Sequence, residues 1–127
     1  MRNGAIAALA LTANCMTPPS PSGGVHPRHS LLGRVAGAPV QCVSRVPQEA
    51  LLVLDNRGAL SYRYGTIVYR TQVQSECPGL RPQSTIVVDT IGQRYCSGDR
   101  IKVIEAGARL PGHTCTIGPF VPYRPSR

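Results

Sequence analysis

From Val40 to Tyr123 the chain is cut into short segments in which apolar and polar residues alternate, or in which β-branched residues run together, with turn residues between them. ALLVLD (50–55) is a compact apolar run closed by Asn56, Arg57 and Gly58. In ALSYRY (59–64), Leu60, Tyr62 and Tyr64 share one side, with Ser61 and Arg63 opposite. Gly65 allows a tight reversal into TIVYRTQV (66–73), where Ile67, Tyr69, Thr71 and Val73 face one way and Thr66, Arg70 and Gln72 the other. These three segments predict an antiparallel meander with one buried face. STIVVDT (84–90) and RIKVIE (100–105) predict two more strands. TCTIGPFVPY (114–123) predicts a last short one that its prolines should end. Only PQEALLV (47–53) suits a helical turn, with Pro47 in first position. The expected fold is therefore mostly β: a small antiparallel β roll or partly open barrel.

The N-terminus follows a different pattern. Arg2 precedes a small and apolar run from Gly4 to Ala13, which is too short to span a membrane but has the order of a secretory signal. Around Cys15, Thr12-Ala13-Asn14-Cys15 is a partial match to a bacterial lipoprotein signal, with Asn14 where a smaller residue is usual. The competing cleavage site is Ala8-Leu9-Ala10, which would leave a soluble periplasmic or secreted protein. MTPPSPSGGVHPRHS then lacks apolar periodicity. The expected organisation is a lipoprotein-like signal over 1–14, a flexible Pro/Ser/Gly linker over 15–39, a β domain over 40–123 and a tail over 124–127. Lipidation at Cys15 would make the membrane surface a partner and place the domain in the periplasm, anchored at the outer membrane.

Export changes the reading of the other cysteines. In an oxidising compartment Cys42, Cys77, Cys96 and Cys115 are expected as two disulfides, which a small domain with no Trp, one Phe and five Tyr needs as fastening. No C-x-x-C pair is present, so neither a zinc site nor another cofactor is expected. Of the three possible pairings, the nested one, Cys77–Cys96 inside Cys42–Cys115, is the expectation. The net charge of +8 comes almost wholly from arginines, thirteen in all, scattered without a run. Nucleic acid is therefore not an expected partner, whereas loose contact with anionic lipid, envelope polysaccharide or a protein is.

The segments Cys42-Val43-Ser44-Arg45, Val53-Leu54-Asp55, Ile67-Val68-Tyr69-Arg70, Cys77-Pro78-Gly79-Leu80, Tyr95-Cys96-Ser97-Gly98-Asp99, Ile101-Lys102-Val103 and Cys115-Thr116-Ile117-Gly118-Pro119-Phe120 carry a resemblance. Over about residues 42–123 the chain resembles a family of small secreted proteins of Gram-negative bacteria, often with lipoprotein-type signals, known only as a domain of unknown function. The CPGL and C-x-x-G-x-F pieces are the most specific. The resemblance implies export and a disulfide-stapled β domain, and it implies no activity.

No residue pattern marks a catalytic site. Pro78-Gly79 fits the centre of a type II turn after a bonded Cys77. Asp99 fits a Ser-Gly-Asp turn, and Asp55 opens the DNRG turn. Asp89 interrupts IVVDT and, if inward, would need Arg94 or Arg70 as partner. His26 and His29 fall in the expected linker, where solvated histidines are the norm. His113 falls in a loop. The five tyrosines are expected to fill the core rather than to line a binding face. The expected function is a non-catalytic envelope protein with a binding or structural role. The alternative is a small periplasmic hydrolase, or a hydrolase inhibitor, using Asp99 and His113.

Overall fold

The computed structural model describes residues 27–126 together with Gly4; Cys15 and His26 lie outside the described residues. The meander forms as its alternation predicts: β3 (Leu52–Val53), β4 (Ala59–Tyr64) and β5 (Ile67–Gln72) pair antiparallel in sequence order. Gly65, at φ +59° with no positive φ at Thr66, has the pattern of the two-residue II′ turn that suits strand twist. At the other end, Asp55 Oδ1 accepts the N–H groups of Arg57 and Ala59, and so closes the DNRG turn. The run 50–55 contributes only its two middle residues as strand. PQEALLV makes no helix: Glu49 N–H reaches Val46 O in a single turn.

Two strands flank the meander. β10 (Val121–Pro125) pairs with β5, and β1 (Arg34–Ala36) pairs with β10, giving the order β1-β10-β5-β4-β3. Of the two prolines in 114–123 that were expected to end the ladder, Pro119 does lie between strands, but Pro122 sits within β10, as does Pro125 just beyond that segment. The register explains why. Pro122 accepts from Gly37 N at 2.7 Å, so its missing N–H faces the point where β1 has already ended. Pro125 falls opposite Thr66, beyond the start of β5, and the Arg34 guanidinium donates to the Thr66 carbonyl that a Pro125 N–H would have met.

The remaining strands form two smaller sheets. β2 (Cys42–Ser44) pairs with β7 (Arg94–Cys96). β6 (Thr85–Asp89), β8 (Arg100–Ile104) and β9 (Thr114–Thr116) pair in the order β6-β8-β9. TCTIGPFVPY thus makes two strands in two different sheets, turning at Gly118-Pro119. Gly118 is required there, because a Cβ would stand 2.9 Å from the Gln72 carbonyl oxygen. The molecule is mostly β and antiparallel, as expected, but its sheets do not close into a barrel. One core joins them, built from Leu60 and Tyr62 of β4, Val43 and Tyr95, Ile101 and Val103, Cys115, Ile117 and Phe120.

Two disulfides fasten the domain, with a pairing that corrects the nested expectation. Cys42 bonds Cys96, and Cys77 bonds Cys115, so the loops interleave. Cys42 and Cys96 are cross-strand partners in β2–β7. The bond from Ser97 N to Gln41 O, and that from Arg45 N to Gln93 O, make 42/96 a non-hydrogen-bonded pair, the kind whose side chains approach most closely. Nothing in the spacing of the cysteines reveals that β2 and β7 are neighbours. Cys77 enters the Pro78-Gly79 turn as expected, with Leu80 N on Cys77 O and Gly79 at φ +81°.

The linker reading over 15–39 is also corrected from Pro27 onward. A 3₁₀ turn at Pro27–His29 and strand β1 belong to the ordered domain, and Ala36 is followed directly by a bond from Gly37 to β10. His29 is 3% exposed, and its Nδ1 lies 2.8 Å from Ser61 Oγ on the outer face of β4. Arg70 donates to His29 O at 2.7 Å, and Arg63 donates to Arg28 O at 2.9 Å. The face of β4 opposite Leu60 and Tyr62 is therefore covered as well, which is why Ser61 and Val68 have no exposure.

Tyr62 links the first two sheets. Its hydroxyl donates to Ser44 O and accepts from Val46 N, both at 2.9 Å, and its ring meets Tyr95 edge-on. Burial pushes its pKa up and Tyr95 adds to this, against the Val46 N–H, which favours the phenolate. Above the ordinary tyrosine value near 10, the unfolded chain releases a proton that the folded one keeps, so stability falls as pH rises. Tyr62→Phe should cost about 1–3 kcal/mol in urea unfolding at pH 7 and flatten the alkaline decline of Tm. Gly118→Ala should likewise destabilise by about 1–3 kcal/mol, read from the urea midpoint.

Candidate functional site

The residues singled out in the sequence do not assemble. Asp99 lies in the β7–β8 turn, where its Oδ2 accepts from Cys96 N at 2.8 Å. His113 lies before β9. The bond from Ile117 N to Asp99 O, and that from Val103 N to His113 O, mark opposite ends of the β8–β9 ladder. Four residues of strand separate these two positions, roughly 13 Å. They cannot act together on one reacting group. Asp89 faces outward rather than inward and pairs with Lys102 Nζ at 3.7 Å, with both side chains about half exposed. Neither Arg94 nor Arg70 is its partner. Among the described residues no group of three or more His, Cys, Asp or Glu side chains could hold a metal ion, and no helix is long and apolar enough to cross a membrane. Of the tyrosines, Tyr62 and Tyr95 are core, Tyr69 packs edge-on to Phe120, and Tyr64 is exposed. Cys15 lies outside the described residues.

The arrangement that does come together is one that sequence patterning could not locate, because it depends on which strand is left at an edge. Among the described residues β6 pairs only with β8. Along β8, Asp99, Ile101 and Val103 turn their backbone groups toward β9, as the bonds at 99/117 and 103/113 show. Arg100, Lys102 and Ile104 must then face β6, where their partners are Asp89, Val87 and Thr85. The backbone N–H and C=O groups of Ile86 and Val88 point the other way, to the free edge.

Opposite that edge runs the loop after β2. Between the two lies an open groove of about 320 Å³, lined by Arg45, Val46, Glu49, Leu51, Ile86 and Val88 among others, with Tyr95 at its base. The Arg45 guanidinium sits 5.7 Å from the Tyr95 ring centroid, which fixes a positive charge at the groove wall. The Glu49 carboxylate is engaged by Arg28. Val87 is 45% exposed between Ile86 and Val88. The site therefore presents two donors, two acceptors, an exposed β-branched side chain and a cation. This is equipment for holding an extended backbone rather than for transferring groups.

No protein-family model matches the chain, and comparisons with curated proteins and with solved structures found no match.

The edge geometry is directly checkable. Ile86→Pro removes an outward-facing N–H and should change stability far less than Val87→Pro, which breaks a ladder bond and should cost about 3 kcal/mol or more in urea unfolding. In hydrogen exchange followed by NMR, the Ile86 and Val88 amides should exchange much faster than that of Val87.

Proposed function

We propose that the protein is an exported, non-catalytic cell-envelope protein, held to a membrane by lipid at Cys15, whose β domain binds an extended segment of a partner protein along the edge of β6. The observation that carries the binding role is that edge, with the Ile86 and Val88 backbone groups unpaired beside a groove. An added strand needs donors and acceptors at strand spacing, and β6 supplies them. The domain's net positive charge and Arg45 favour a segment with acidic residues.

Export is supported by the signal-like run and by the two disulfides, which persist in oxidising compartments. Cys15 precedes Pro27, the start of the described domain, by a stretch that can reach at most about 40 Å, enough to stand a domain off a bilayer. The hydrolase alternative loses its basis in the separation of Asp99 from His113.

Intact mass of the mature protein tests the anchor: a diacylglyceryl-bearing Cys15 is expected, and a chain starting at Leu11 would sink it. For the binding role, a photo-crosslinking residue at Val87 should capture a defined partner in cells, and Ile86→Pro should abolish the crosslink while the domain stays folded, with a smaller fall in Tm than Val87→Pro. A crosslink indifferent to Ile86→Pro, or equal to one from a probe at Asn56, would remove the edge from the proposal.

A further inference from the structure

The turn before β1 exposes a leucine in a way that folding does not explain. Leu32 is 91% exposed, whereas its neighbour Leu31 is half-buried. The turn that carries it is tightly held. Arg34 N bonds Leu31 O at 3.1 Å, Leu32 N bonds Ser30 Oγ, Gly33 has φ +69°, and Gly33 O accepts from both Ser126 N and Ser126 Oγ. A large apolar side chain is thus displayed on a rigid tip, at the cost of leaving it in water.

Two arginines lie at the same end of the sheet. Arg34 follows the tip directly, and its Nη1 reaches Thr66 O and Tyr123 O. Arg63 reaches Gly65 O through Nε and Arg28 O through Nη1. Each guanidinium has five N–H groups, so each keeps donors on Nη2 for an oxyanion. The acidic residues lie elsewhere. Asp55 and Glu76 are at the far end of the meander, roughly 17 Å along β4 from the Gly65 turn. Asp89, Asp99 and Glu105 belong to the β6–β8 region, and Glu49 is taken by Arg28.

We infer that the end of the sheet formed by Leu32, Arg34 and Arg63 is a membrane-docking face that inserts Leu32 into an anionic lipid surface, the two guanidiniums meeting lipid phosphates. The exposed leucine selects lipid over nucleic acid, which offers phosphate but no apolar phase to receive it. The inference rests on the proposed envelope location and gives the tethered domain an orientation.

The chain has no tryptophan, so Leu32→Trp creates a single reporter. The chain from residue 15 onward with Cys15→Ser, without the apolar leader, with both disulfides formed and unable to carry lipid, is titrated with phosphatidylcholine vesicles containing about 30% phosphatidylglycerol. Emission of Leu32→Trp should shift to the blue, whereas Ile91→Trp, an equally exposed control at 95% exposure, should not move. Arg63→Gln in the Leu32→Trp background should raise the lipid needed for half the shift by roughly fivefold. If that variant does not fold, about 0.5 M NaCl on the unaltered background should have the same effect. An unmoved Leu32→Trp, an equal shift at Ile91→Trp, an equal response to pure phosphatidylcholine, or the same shift with duplex DNA would each overturn the docking face. None of these results bears on the anchor, which the mass at Cys15 decides separately.

Discussion

The Tyr62 hydroxyl holds the largest sheet to its neighbour, and the arrangement of the remaining parts depends on it. Three small sheets of short strands cannot each bury a core, so they must share one, and Tyr62 stands where they meet. Its ring lies against Tyr95 from β7, and its oxygen takes up Ser44 O and Val46 N from the end of β2. The loop after Val46 forms one wall of the β6 groove. The phenol therefore sets the position of that wall as well as satisfying two part-buried backbone groups. Cys77–Cys115 ties the third sheet to the loop after β5, while Cys42–Cys96 locks β2 to β7.

The arginines have a structural role that their scatter conceals. Arg34, Arg63 and Arg70 all donate to main-chain carbonyls, at Thr66 and Tyr123, at Gly65 and Arg28, and at His29. Together they fasten the segment from Pro27 to β1 across the outer face of the meander. A guanidinium does this better than an ammonium because its planar fork reaches two acceptors at once. Burial lowers the pKa of Arg70, and nearby Tyr123 acts in the opposite direction, favouring the charged guanidinium. Part of the chain's positive charge is thus carried by residues already needed for the fold.

Strand identity was largely legible in the sequence, because period-two alternation and turn chemistry act locally. The meander, β6, β8, the Gly65 reversal, the Asp55 turn and the Pro78-Gly79 turn all follow from adjacent residues. The candidate site was not legible. Asp99 and His113 carried recognisable chemistry but are held apart by the β8–β9 register, whereas Ile86 and Val88 matter only because no strand lies beside them. An open edge is a property of the sheet order and leaves no mark on the residues that form it.

The sequence by itself determined a mostly β domain with two disulfides, since alternation and cysteine count are sufficient for that much. Tertiary structure decided which cysteines pair, that residues 27–36 belong to the domain, and that TCTIGPFVPY divides between two sheets. In each case the deciding contact joins segments far apart in the chain: Cys42 meets Cys96, His29 meets Ser61, and Gly118 meets Gln72. The free energy of such contacts comes from shared burial and register across the sheets. No local window of the sequence contains both partners.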